Sequence, residues 1–252
     1  MQRKVDFYYF SPTGGTKKAG EIFSREISEN VNFIDLAKEK EFPQTDGELA
    51  VLAAPVFGGR IPAFVAEKLK KIDGAGKKAV TFAVYGVRAY EDALAELNDA
   101  AAARGFQVIA SAAAVAQHSI VPSVGAGRPD EKDAAEIQEF ARKVLDKLAQ
   151  GPDAAFEVPG NRPYKQWGGM PAAPISLPSC NQCKKCADAC PTEAIAVKEN
   201  EVETDAEKCI LCMACTAVCP EHARILPPPL KEKLEEKLGA FKDVRRANEF
   251  YL

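Results

Sequence analysis

The chain has 252 residues, of which 46% are hydrophobic and 27% charged, and its formal net charge is −3. That length holds one large domain, or one medium and one small. The near-balanced charge argues against a partner such as nucleic acid or an acidic membrane surface.

Read in chain order, the first 150 residues alternate strand and helix. Val5 to Phe10 is an apolar run ending at the turn SPTGG, and Lys17 to Ser28 follows with helical spacing through Ile22, Phe23 and Ile27. Val31 to Leu36 is a second strand. Leu49 to Ala54 is a third, unbroken by polar residues, as a strand covered on both faces would be. Pro62 to Ile72 reads as a helix, Ala79 to Val84 as a strand, Tyr90 to Arg104 as a helix closed by Gly105, and Phe106 to Val115 as the fifth strand. Asp130 to Gln150 is a closing helix with Asp130 as its N-cap. Five strands alternating with helices predict an α/β domain, a doubly wound five-stranded parallel sheet over residues 1–150, with any ligand outside the carboxyl ends of the strands.

Residues 151–177 carry five prolines and four glycines and read as a linker. A small module follows over 178–226. In 227–252, Leu230, Leu234 and Leu238 are spaced for one helix face ending at Gly239, and the rest of that tail carries no assignable pattern. The opening MQRKVDFYYF lacks an apolar signal region and no run of about 18 apolar residues follows. The expected location is therefore the cytoplasm, where cysteines point to metal or redox chemistry rather than disulfides.

All eight cysteines fall within 180–219, in an internal repeat. Cys180-x2-Cys183-x2-Cys186-x3-Cys190-Pro191 is followed by Cys209-x2-Cys212-x2-Cys215-x3-Cys219-Pro220. Three thiolates two residues apart can wrap one face of a cubane. Zinc modules typically use cysteine pairs separated by a longer loop. The module resembles two-cluster 4Fe–4S bacterial ferredoxins, in which the fourth cysteine of each run serves the other cluster. The resemblance implies one cluster on Cys180, Cys183, Cys186 and Cys219 and a second on Cys209, Cys212, Cys215 and Cys190. His222, just past Pro220, reads as a surface residue.

Three glycine-rich turns sit at predicted strand ends. In SPTGGT, Ser11, Thr13 and Thr16 offer hydroxyls, while Gly14 and Gly15 let backbone N–H groups converge on an anion before a helix. The spacing is neither a Walker loop nor a dinucleotide fingerprint. The first 150 residues resemble a flavodoxin. SPTGGT is similar to that family's FMN phosphate loop. PVFGG, which is Pro55, Val56, Phe57, Gly58 and Gly59, is similar to its second flavin loop. YGVRAYED resembles the third, with Tyr85 and Gly86 at its start, Arg88 within it and Tyr90 as the ring that stacks on the flavin. A flavodoxin-like domain fused to a two-cluster ferredoxin is itself a known arrangement. It implies FMN beside two 4Fe–4S clusters and a protein that relays electrons between them, with a redox partner protein or a small-molecule acceptor.

An FMN-dependent reductase of a small molecule fed by the clusters remains an alternative. A cluster-binding sensor or scaffold with an apo flavodoxin-like domain is another. Flavodoxins usually carry acidic residues near the flavin, whereas these loops carry Arg60 and Arg88, with Lys17 and Lys18 after the phosphate loop. They read either as solvated charges or, for the arginines, as groups facing the flavin or an anionic substrate. His118 falls at the same edge and reads as a rim residue. Tyr164 and Trp167, in the linker, read as residues that pin the chain to a surface or close over the flavin.

Overall fold

The computed structural model describes residues 3–150, 156–199 and 201–252. The first part runs β1 (Val5–Tyr9), α1 (Gly15–Ile27), β2 (Val31–Asp35), β3 (Leu49–Pro55), α2 (Ala63–Leu69), β4 (Lys78–Tyr85), α3 (Ala93–Ala102), β5 (Gln107–Val115) and α4 (Glu131–Gln150). The cysteine-bearing part adds β6 (Ile175–Ser176), α5 (Lys185–Asp188), β7 (Ile195–Val197), β8 (Val202–Thr204), α6 (Ala214–Ala217) and β9 (Arg224–Ile225). The chain closes with α7 (Pro228–Gly239) and β10 (Glu249–Tyr251).

Strands β1 to β5 pair in parallel in the order β5-β4-β3-β1-β2. Strand β3 is buried along its whole length because helices cover both faces of the sheet. One face packs Phe7, Phe23, Phe82 and Phe140 under α1 and α4, and the other packs Leu52, Leu69, Leu94 and Leu97 under α2 and α3. The order is the flavodoxin-like one, with a topological switch point beside β1. Helix α4 opens on a reciprocal cap, in which the Asp133 N–H donates to Asp130 Oδ1 and the Asp130 N–H to Asp133 Oδ2.

Two features depart from the sequence reading. The sheet has six strands, because the unassigned tail returns as β10 and pairs antiparallel with β5, Phe250 opposite Ala112. The stretch read as a linker is docked where it is described. Asp92 accepts the N–H groups of Asn161 and Lys165 at 2.8 and 2.7 Å, and Asp99 holds Arg162 through two bonds of 2.7 Å. Residues 151–155 of that stretch lie outside the described residues. No helix among the described residues is long and apolar enough to cross a membrane.

Candidate functional site

Four loops at the carboxyl ends of β1, β3, β4 and β5 enclose a hollow of about 660 Å³. Thr13, Gly15 and Thr16 line it from the first loop, Pro55 to Gly59 from the second, Tyr85, Gly86 and Arg88 from the third, and Gln117, His118 and Ser119 from the fourth. Gly14 takes φ +92 and turns the chain into the 13-residue α1, whose first turn holds no acidic residue. Ser11 Oγ accepts the Lys17 N–H at 2.8 Å, so this hydroxyl braces the loop. The amides of Thr13, Gly15 and Thr16 have no acceptor among the described residues, which suits an anion at the helix start. Gly86 is required for packing, since a Cβ there would meet the His118 ring at 2.5 Å.

The third loop is strained. Val87, fully buried and β-branched, sits at φ +66, and Glu91 at φ +45. Arg88 pairs with Glu91 at 2.7 Å and still borders the hollow. His118 Nδ1 accepts the N–H groups of Ile120 and Val121, and burial, then the Arg88 charge, pushes its pKa down to about 4. The neutral ring therefore keeps its proton on Nε2.

Two expected residues lie elsewhere. Tyr90 does not line the hollow. It is buried, its hydroxyl meets Glu249 Oε2 and the Tyr251 hydroxyl, both at 2.7 Å, and its ring packs edge-on against Tyr85. The returning β10 claims it, which local sequence could not reveal. Arg60 also turns away, forming a two-bond pair with Glu96 at 2.7 Å, donating to the Lys165 carbonyl at 2.6 Å and stacking on Tyr164. Lys17 lies over the rings of Tyr9 and Phe33. The aromatic that does reach the rim is Trp167, 45% exposed, whose indole lies where a Cβ of Gly58 would be, 2.2 Å away.

The cysteines ring two further hollows. Cys180, Cys183, Cys186 and Cys219 border one of about 300 Å³, and Cys190, Cys209, Cys212 and Cys215 border another of about 320 Å³. The grouping follows the crossed ligand sets that the repeat implies. Among the described residues no three side chains converge on a point suited to a single ion, as zinc would need. Sulfurs spread around a hollow suit a cubane, whose iron corners stand apart.

The backbone repeats as well. Gln182 and Leu211, Lys184 and Met213, and Glu193 and His222 occupy matching places in the two runs, and all six take positive φ. These left-handed corners, uncommon for residues other than glycine, curl each run around its hollow. His222 is one of these corners, and its ring borders neither hollow. Ala194 and Ala223 donate their N–H groups to Cys190 Sγ and Cys219 Sγ at 3.2 and 3.3 Å, and Leu211 to Cys209 Sγ at 3.4 Å. Burial pushes the Cys212 thiol up to about 12. A thiolate at that position needs positive charge, which iron supplies.

Residues 179–223 match the family model described as a 4Fe-4S dicluster domain. This module is a 4Fe–4S dicluster domain. Over the dicluster domain and its flanks the chain is similar to a component of the ion-translocating oxidoreductase complex of Methanosarcina acetivorans. That match is 52% identical over 44 residues, 18% of this chain and 17% of the relative. It is also similar to the thiosulfate reductase electron transfer subunit PhsB of Salmonella typhi, 43% identical over 91 residues, 35% of this chain and 47% of the relative. The chain thus spans less than half of either curated relative. In solved structures the chain is similar to flavodoxin 1 of Bacillus cereus, 17% identical over 57% of this chain and 97% of that one, TM-score 0.41. It is likewise similar to rubredoxin oxygen:oxidoreductase of Desulfovibrio gigas, 16% identical over 60% and 38%, TM-score 0.45. The strand order, rather than either likeness, identifies the flavodoxin-like domain.

The two cysteine sets differ in their surroundings. Cys183 is exposed, whereas Cys212, its counterpart in the second run, is 8% exposed. Cys212 and Ala214 pack into the apolar core that also holds Tyr85, Val121 and Val124. Ile120 bridges that core and the patch of Leu211, Met213 and Leu226, and it follows directly on His118 and Ser119 at the hollow. One cluster site faces water, and the other faces the flavodoxin-like domain.

Proposed function

We propose that the chain is an electron-transfer protein that carries electrons between two 4Fe–4S clusters and an FMN bound in the β-strand hollow. The carrying observation is the dry contact of the Cys212 set with the Ile120 to Val124 loop behind that hollow. The clusters pass single electrons and the flavin accepts one or two, so together they supply interconversion between the two kinds of chemistry.

In this reading the amides of Thr13, Gly15 and Thr16 hold the phosphate at the start of α1. Phe57, Gly58 and Trp167 flank the ring. Arg88 favours negative charge there, and His118 offers an Nε2–H. Ile120 and Met213 exclude water from the gap between the two parts. Cys183, exposed and beside Lys184 and Lys185, is where a redox partner would meet the chain. The relative named as an electron transfer subunit supports a protein partner, and the absence of any membrane-spanning helix among the described residues is compatible with a cytoplasmic location.

Anaerobic purification followed by iron, sulfide and flavin assays tests this. The expected content is about eight iron, about eight sulfide and about one FMN per chain. Stepwise chemical reduction should bleach both chromophores within one molecule. Protein that carries the clusters yet neither retains nor rebinds FMN would remove the flavin from the proposal.

A further inference from the structure

Arg224 breaks the repeat. It occupies the place in the second run that Ile195 holds in the first, five residues after the fourth cysteine. Its guanidinium is 3% exposed, yet no carboxylate pairs with it among the described residues. Nη1 donates to Ser176 Oγ at 2.8 Å, and Nη2 donates to the Pro174 carbonyl at 2.9 Å and to Thr204 Oγ1 at 2.5 Å. Nε, fully buried, has no partner among the described residues. A buried cation held only by neutral oxygens, with one N–H left over, is costly unless an anion lies close by.

The anions available are the thiolates. Arg224 borders the Cys180, Cys183, Cys186 and Cys219 hollow directly. Burial raises the thiols of Cys186, Cys209 and Cys215, and the Arg224 charge opposes that rise at all three, so its field reaches both cysteine sets. Each cluster with its four thiolates is anionic, and gains one further negative charge on reduction.

We infer that Arg224 is an internal counter-ion shared by the two clusters, donating its Nε–H to a cluster sulfur and favouring the reduced form of both. The inference rests on the dicluster reading alone and is independent of FMN. It makes Arg224 a positioning and tuning residue rather than a ligand. Hydrogen bonds and charge near the sulfurs are among the levers by which a protein sets cluster potentials.

The test is an EPR-monitored redox titration of the anaerobically purified full chain, as wild type, Arg224→Gln and Arg224→Lys, with iron counted in each. In Arg224→Gln the ratio of reduced to oxidised cluster at a fixed poise should fall at least tenfold for both centres, a shift of about 59 mV for a one-electron couple. Arg224→Lys keeps the charge and should stay within about threefold of wild type on the same scale. An Arg224→Gln protein with full iron and unchanged titration would overturn the inference.

A second measurement holds even if that variant loses its clusters. Wild-type protein grown with ¹⁵N-arginine should show hyperfine coupling from a reduced cluster to an arginine nitrogen, absent in Arg224→Lys. No such coupling from either cluster in the wild type would also overturn the inference.

Discussion

His118 shows how one buried ring sets a pH limit. Its Nδ1 is taken by two backbone N–H groups, its face lies on Gly86, and the nearest charge that shifts it is the cation Arg88. Every one of these disfavours a second proton, so the folded pKa of about 4 lies below the ordinary 6.5. Between those values the unfolded chain binds more protons than the folded one. The His118 contribution is therefore complete above pH 6.5 and is lost as pH falls toward 4. At pH 5 the loss amounts to about 2 kcal/mol. Urea midpoints at pH 7 and pH 5 should separate by that much more in wild type than in His118→Asn. Equal pH dependence in the two proteins would mean that the ring is already charged in the fold. The residue was legible in the sequence only as a rim histidine, because its partners are backbone groups that no side-chain pattern displays.

At the scale of elements, long segments were readable and short ones were not. Strand β3, LAVLAAP, is an unbroken apolar run because both of its faces are covered, and the helices carry apolar stripes for the faces they bury. Strand β10 is three residues, EFY, stabilised by its partner β5 rather than by any pattern of its own. That gap explains why Tyr90 departs from its expected role. Its place after the third turn matches a flavin-stacking residue, while the groups that take its hydroxyl, Glu249 and Tyr251, lie some 160 positions later. Arg60 departs in the same way, since Glu96 and the strap carrying Lys165 capture it.

The consequence is measurable. Tyr90→Phe removes one buried hydroxyl and should lower stability by about 1 kcal/mol, with faster amide exchange at residues 249–251. Its FMN affinity should stay within about twofold of wild type. Trp167→Ala, on an exposed side chain, should do the reverse, raising the FMN Kd about tenfold with little change in stability. If Tyr90→Phe instead weakened FMN and Trp167→Ala did not, the ring assignments would have to be exchanged.

For the whole molecule, the order of the redox sites follows from the crossed cysteine sets. The repeat spacing was enough to suggest cubanes, since three cysteines in seven residues leave the fourth ligand to come from elsewhere. It could not show which cluster is dry, because Cys183 and Cys212 hold equivalent positions and differ only in what packs over them. The dry set includes Cys190, which comes from the first run, so a single substitution there should reach across the module. Cys190→Ala should remove the cluster also held by Cys209, Cys212 and Cys215, cutting iron from about eight to about four per chain. The surviving EPR signal should be that of the water-facing cluster and should show deuteron coupling after exchange into heavy water. Flavin reduction should then slow by about a hundredfold or more in a single turnover, because the remaining cluster has lost its intermediate toward the hollow. Loss of the solvent-coupled signal in Cys190→Ala, with the dry cluster intact, would show that each run serves its own cluster. The path would then enter the flavodoxin-like domain by some route other than Cys212 and Ile120.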